Sequence, residues 1–211
     1  MADKEILIFV EGPSDKVFLE AYLYFLEDIP IKNFKVKDVT GKDNLSKRLL
    51  EIEKYDKTLI IFDADKDYES NKKEILSKTQ QKITEEQIFL FPNNQDDGDL
   101  ETLLLEIAKH DEFLKCFEGY LEFIKSKEHY KPIKNISKSK WYAYLEVFEL
   151  QNFFKDKRNK NDKKNEEKII IDDKGKIRKE YKEEYEKLKE VIDFNSNSLI
   201  PLKDFLGQFA K

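Results

Sequence analysis

Cysteine is nearly absent from this chain of 211 residues, which has only Cys116. A single cysteine cannot form an intrachain disulfide, and such sparse use is typical of proteins kept in a reducing compartment. Histidine is scarce as well, because the chain has only His110 and His129, and no Cys/His spacing indicates a zinc site. The sequence therefore predicts a cytoplasmic protein without a disulfide framework or a zinc centre.

Long apolar runs are also missing. A helix that crosses a bilayer needs about 20 consecutive apolar residues, and no stretch of the chain approaches that length. The N-terminal stretch has neither a basic start nor a small-residue cleavage site, so it does not read as a signal peptide. We expect no association with a membrane.

Charged residues are abundant instead: they make up 39% of the chain, which has a net charge of −5. This balance is not that of a protein that coats nucleic acid non-specifically. It remains compatible with nucleic acid, because a metal ion can bridge acidic side chains to a phosphate. Aromatic residues, at 13%, supply enough buried area for a folded protein with a charged surface.

Four short apolar runs alternate with helical patterns through the first half of the chain. The predicted strands are residues 5–10, 34–39, 58–63 and 88–92. Runs rich in branched residues fit strands that are buried on both faces, and their alternation with helices predicts an α/β fold with about four parallel strands flanked by helices. Gly12-Pro13 ends the first strand, and Ser14 is predicted to N-cap the next helix.

The second half of the chain has a different pattern. Residues 1–110 are predicted to form the α/β core, and residues 111–211 a mostly helical C-terminal extension packed on it. Residues 155–168 include no apolar side chain, so we expect an exposed, charged loop there.

Acidic residues follow two of the predicted strands directly. Glu11 comes after the first, and Asp63 and Asp65 come at the end of the third. In an open parallel sheet the carboxyl ends of the strands meet at one edge, where ligands bind. Carboxylates gathered there repel one another unless a cation is present, and ligands that are all oxygen suit Mg²⁺ or Mn²⁺. Acids are common in this chain, so the position after a strand is more informative than the spacing.

These residues resemble the Toprim domain of topoisomerases, primases and overcoming-lysogenization-defect nucleases. The likeness is carried by Glu11 in VEGPSD and by Asp63 and Asp65 in IFDADKD, and it extends over roughly residues 5–110. The segments GDLETLLLEI and IDFNSNSLIPLKDFL are similar to stand-alone Toprim-like proteins of bacteria. The resemblance implies a Toprim-like Rossmannoid core.

The resemblance also implies roles for single residues. Asp63 and Asp65 would hold a divalent cation, and Glu11 would be a further ligand or a general acid/base for phosphoryl transfer. Asp15 forms an ExxxD spacing with Glu11 that is similar to the nuclease branch, and Asp67 completes a DxDxD of the topoisomerase kind. Ordinary alternatives exist for both, since Asp15 falls in the first turn of a helix and Asp67 in a polar loop.

Two further residues are candidates for the same site. Glu101 follows the fourth strand and would be a metal ligand there, or it belongs only to a helix start that Asp99 caps. Lys140, near Lys138, would offset negative charge beside a phosphoryl group, as in related nucleases, or it is simply solvated.

The favoured hypothesis is a Mg²⁺- or Mn²⁺-dependent phosphoryl-transfer enzyme, most simply a nuclease that acts on DNA or RNA. Two alternatives stay open: a non-catalytic Toprim-like module that binds a nucleotide, nucleic acid or a protein, and a phosphatase of small phosphoesters. The chain departs from the nuclease family by having no Gly-rich loop of an ATPase, and from topoisomerases by having no evident tyrosine domain. Association into a homo-oligomer is also left open.

Overall fold

A four-stranded, all-parallel sheet forms the centre of the protein in its computed structural model, which describes residues 6–26, 31, 34–154, 179 and 182–209. The strands are β1 (Ile6–Val10), β2 (Phe34–Asp38), β3 (Lys57–Asp63) and β4 (Ile88–Phe91), in the order β2-β1-β3-β4. The predicted α/β class with four parallel strands is confirmed, and each predicted strand lies within two residues of its observed bounds.

The central strands are buried on both faces, because each feeds two separate hydrophobic clusters. On β1, Leu7 and Phe9 belong to the smaller cluster, whereas Ile8 and Val10 belong to the larger one. Strand side chains alternate between the faces of a sheet, so a continuous apolar run supplies both clusters at once.

Helices cover both faces of this sheet. They are α1 (Pro13–Phe25), α2 (Leu49–Ile52), α3 (Tyr68–Lys78), α4 (Leu100–Glu106), α5 (Asp111–Lys125), α6 (Ile136–Val147), α7 (Gln151–Phe154), α8 (Lys182–Val191) and α9 (Ile200–Gly207), with a 3₁₀ turn at Lys42–Arg48. Within the described ranges, none of these helices has the length and apolar character needed to cross a bilayer.

The start of α1 differs from the sequence prediction. Its N-cap is Gly12, with Pro13 in the first helical turn, so the prediction that Ser14 caps the helix is wrong. Proline fits the first turn because its fixed φ is helical and its missing N–H would have no partner there. Ser14 instead donates a hydrogen bond from Oγ to the carbonyl of Phe154, 3.3 Å away, and so links α1 to α7.

The C-terminal helices share one core with the sheet. The larger cluster joins residues of β1 and α1 to Trp141 and Tyr144 of α6, Tyr185 of α8 and Phe205 of α9. The C-terminal helices therefore pack on the same side of the sheet as α1. The predicted charged loop at residues 155–168 lies outside the described residues.

Tyr144 provides a test of the contact between α6 and α8. Its side chain is fully buried, and its hydroxyl donates a 2.7 Å hydrogen bond to the carbonyl of Val191. Replacing Tyr144 with Phe keeps the ring and removes this bond, so we expect the free energy of unfolding to fall by about 1 kcal/mol in urea titrations. Tyr120→Phe, at a site that is 49% exposed, should change it little. Equal effects of the two substitutions would contradict the contact.

Candidate metal centre

The order of the strands creates a switch point between β1 and β3. The chain adds β2 on one side of β1 and then crosses to add β3 and β4 on the other side. The connections therefore leave β1 and β3 in opposite directions, which opens a crevice at their carboxyl ends. Glu11 immediately follows β1 and Asp63 ends β3, so both predicted residues lie at this crevice.

Glu11 has one carboxylate oxygen, Oε2, that is buried without a hydrogen-bond partner among the described residues. Burial raises the pKa of Glu11, Lys42 lowers it, and the nearby negative charge of Asp65 raises it again. A buried carboxylate oxygen without a donor is costly, and it is the kind of atom that a cation satisfies.

Asp15 and Asp63 form the buried centre of the cluster. Asp15 accepts a 2.8 Å hydrogen bond from the backbone N–H of Gly12, and Asp63 accepts a 2.9 Å bond from that of Leu100. Burial raises the pKa of Asp15 to about 7, with a further increase from the charges of Glu101 and Glu11. Burial also raises the pKa of Asp63 well above its usual range, and the charge of Asp15 adds to that rise.

Asp65 is held in position by its backbone. It adopts a left-handed conformation with φ of 55°, and it exchanges two 2.7 Å backbone hydrogen bonds with Gly98. Gly98 has a φ of 145°, and a Cβ atom there would lie 3.0 Å from Pro92 Cδ, so the position needs glycine. The Asp65 side chain is about half exposed and reaches Lys42, whose Nζ lies 2.9 Å from Asp65 Oδ2.

Lys42 is a functional candidate that the sequence did not reveal. It begins the 3₁₀ turn after β2, its side chain is 11% exposed, and its ammonium also bonds to Asn71 Oδ1 on α3. Its charge lowers the pKa of Glu11. Lys42 thus acts as an internal counter-ion of the acidic cluster. The only sequence signal is its place after the second strand, since lysine is common throughout the chain.

Glu101 joins the cluster from the first turn of α4. It is buried, and its Oε1 lies 3.8 Å from Nζ of Lys138 on α6. Burial raises the pKa of Glu101, while Lys138 lowers it. Asp99 is the N-cap of α4, as predicted, and the role of Glu101 as a metal ligand stays a prediction.

Lys140 and Asp67 have partners outside the cluster. Lys140 Nζ lies 2.6 Å from Glu118 on α5, and it is Lys138 that reaches Glu101. Asp67 caps α3 by accepting a 2.9 Å bond from the N–H of Ser70. It also lines an open surface depression that Glu11 and Asp63 do not line. Their roles in catalysis and in metal binding stay predictions that these contacts do not support.

The cluster fits a hard divalent cation by its chemistry. All the side chains that could ligate an ion are carboxylates, and they raise one another's pKa. The buried Oε2 of Glu11 has no hydrogen-bond partner in the described part of the chain. Among the described residues, however, no three His, Cys, Asp or Glu side chains are already arranged to hold an ion. The carboxylates are contacted instead by Lys42, Lys138 and backbone N–H groups. An ion would bind to the negative charge already gathered here, and the carboxylate side chains would turn from these partners toward it.

The raised pKa of Asp15 predicts how stability depends on pH in chelator. Between its unfolded value near 3.8 and its folded value of about 7, the folded state binds more protons, so this contribution to stability is lost as pH rises through that window. Asp15→Asn should flatten this decline and stabilise the protein at pH 8 by at least ~1 kcal/mol. Urea titrations from pH 4 to 8 measure it. Asp67→Asn, which keeps a good N-cap, should follow the wild-type profile, and an unchanged profile in Asp15→Asn would refute the effect.

Comparison with known protein families places nearly the whole chain in one family. Residues 5–210 match the model of a family described as a protein of unknown function, DUF3226. No curated protein and no solved structure matches the chain. Because the family model covers nearly all of the sequence, the chain belongs to the DUF3226 family.

Proposed function

We propose that this protein is a Toprim-like, Mg²⁺- or Mn²⁺-dependent phosphoryl-transfer enzyme that acts as a nuclease. Glu11, Asp63 and Asp65 are the proposed metal-binding carboxylates, with Asp15 and Glu101 beside them. The observation that carries the proposal is the buried Oε2 of Glu11, which has no donor among the described residues and lies within a cluster of carboxylates that raise one another's pKa.

The cluster explains why a cation would be bound here. Four carboxylates with raised pKa values come from four separate elements, the ends of β1 and β3 and the first turns of α1 and α4. Their gathering costs free energy in the absence of a counter-charge. A structural role would be served by apolar residues at lower cost, whereas a metal site requires this arrangement.

Each residue of the cluster would have its own role in metal binding or proton transfer. Asp63 and Asp65 bind and position the ion, which when bound neutralises charge on a phosphate and lowers the pKa of water. Glu11, whose pKa burial raises, would act as a general acid/base or as a further ligand. Lys138, next to Glu101, offers a positive charge beside the cluster.

A second candidate function is a non-catalytic module that binds phosphate-bearing ligands through its lysines. The observation that favours it is that Lys42 and Lys138 already pair with Asp65 and Glu101. These pairs neutralise part of the cluster without any metal, so a phosphate could replace the carboxylates as the partner of the lysines.

Metal binding separates the two candidates. Asp63→Asn removes one charge while its amide oxygen can still accept the bond from Leu100, so we expect slightly higher stability in chelator and at least tenfold weaker Mn²⁺ binding. Wild-type protein should gain about 2.7 kcal/mol of stability at a hundredfold excess of Mn²⁺ over Kd. Thermal-shift and calorimetric titrations measure both effects.

Cleavage is assayed on the same proteins with plasmid, single-stranded oligonucleotides and a small aryl phosphate. Asp63→Asn should lose cleavage, whereas Asp67→Asn should retain both metal binding and activity. Absence of a metal-dependent shift in wild type, or equal shifts in wild type and Asp63→Asn, would favour the non-catalytic module. Hydrolysis of the aryl phosphate alone would identify a phosphatase.

Lys42 should compete with the metal for the same carboxylates. Replacing it with Met keeps most of the length of the side chain and removes the charge next to Asp65 and Glu11, so we expect roughly tenfold tighter Mn²⁺ binding by calorimetry. Lys47→Met is the matched control, because Lys47 lies on the same 3₁₀ turn and bonds to Asn44 Oδ1. Weaker binding by Lys42→Met would show that the ammonium supports the ligand arrangement.

A further inference from the structure

A basic, aromatic arm extends from the acidic centre. Every residue from 108 to 140 is at least partly exposed, although this stretch includes all of α5 and the start of α6. Phe113 and Leu114 pack against the larger core, and beyond them, from 117 to 136, no apolar side chain packs against either hydrophobic cluster. We define residues 123–138, the C-terminal half of this stretch, as the basic arm.

The charge of the basic arm is opposite to that of the whole protein. The arm has five lysines and one glutamate, a net charge of +4, in a chain whose net charge is −5. Lys138 pairs with Glu101 of the acidic centre. No carboxylate in the described part of the chain pairs with the other four, which are Lys125, Lys127, Lys131 and Lys134. Four lysines within ten residues of the chain, none of them in an ion pair with a described carboxylate, form a surface that attracts an anion.

Aromatic rings lie among these lysines. Phe123 and Tyr130 are 53% and 45% exposed, and their ring centroids are 6.5 Å apart. The ammonium of Lys127 lies 5.1 Å from the centroid of Phe123, and His129 lies against Tyr130 with centroids 4.2 Å apart. Exposed rings in a group, next to cations, are unusual for a surface that faces only water.

We infer that the basic arm binds single-stranded nucleic acid and leads the strand to the acidic centre. The lysines match the phosphate backbone in charge, and the exposed rings match unpaired bases, which stack on aromatic side chains. A duplex hides the faces of its bases, so the rings favour a single strand. The arm ends at Lys138, which contacts Glu101, so a strand held on the arm runs toward the proposed metal site.

A second copy of the chain fits this surface poorly. A two-fold dimer would place the arm against its own copy, and two patches of charge +4 would repel. An anionic membrane would match the charge, but the pairing of Lys138 with Glu101 joins the arm to a site proposed for phosphodiesters. The inference rests on the proposed function only in assuming that the bound strand is cleaved at the acidic centre. Binding of the strand by the arm needs no metal.

The test is fluorescence anisotropy of labelled dT20, U20 and a 20-base-pair duplex with the full chain in EDTA. We expect both single strands to bind more tightly than the duplex. Lys125→Gln/Lys131→Gln/Lys134→Gln should lower the slope of log K against log salt by about 2. Phe123→Ala/Tyr130→Ala should weaken binding roughly tenfold or more.

Matched controls separate the arm from general effects of charge and exposure. Lys54→Gln/Lys73→Gln/Lys203→Gln removes three exposed lysines elsewhere, and Leu50→Ala truncates an apolar side chain that is 75% exposed. Both should bind as wild type does. Equal losses in the controls and the arm variants, preference for the duplex, or no oligonucleotide binding would overturn the inference.

Two more measurements test whether the arm binds a membrane or a second copy of the chain instead. Binding to phosphatidylcholine/phosphatidylglycerol vesicles in place of oligonucleotides would identify a membrane surface. A dimer that Phe123→Ala/Tyr130→Ala converts to a monomer in light scattering would identify a subunit interface; either result overturns the inference. Asp63→Asn should bind oligonucleotide as wild type does in EDTA, because binding by the arm needs no metal. Wild-type protein that binds oligonucleotide but does not cleave it under Mn²⁺ would count against the proposed nuclease and leave the arm's role intact.

Discussion

The crowding of buried carboxylates at the β1/β3 switch point is the constraint on which the site depends. The order of the parallel strands reverses there, which brings the residue after β1 and the residue at the end of β3 to one crevice. Because this crevice is desolvated, each charge raises the pKa of the others instead of being screened by water. Lys42 and Lys138 pair with Asp65 and Glu101, and their positive charges offset part of this repulsion.

The two hydrophobic clusters make this costly arrangement possible. The strands are anchored on both faces by residues that are almost completely buried, so the ends of the strands have little freedom to separate. The rigid turns next to the site, such as the paired backbone bonds of Asp65 with Gly98, hold the carboxylates in position. Apolar packing thus offsets the electrostatic cost, which is the usual relation between a fold and a strained functional site.

The C-terminal helices have two relations to the site. Trp141 and Tyr144 on the buried side of α6 join the larger core, while Lys138, near the beginning of the same helix, reaches Glu101. The stretch that precedes α6 leaves the core and concentrates positive charge in a protein that is acidic as a whole. Net charge alone would have argued against an anionic partner, but the local distribution of charge determines which ligand can approach.

The sequence by itself determined the strands and the acids that follow them. Continuous branched runs such as ILIFV can be satisfied only by burial on both faces, and position after a strand is set by chain order, so Glu11 and Asp63 were predictable. Tertiary structure alone decided that Lys42 pairs with Asp65 and that Lys138 rather than Lys140 reaches Glu101. Lysines and acids are too frequent here for spacing to select among them. Their partners depend on which side chains the packing of distant helices brings within a few ångströms, and that information is not contained in any local pattern.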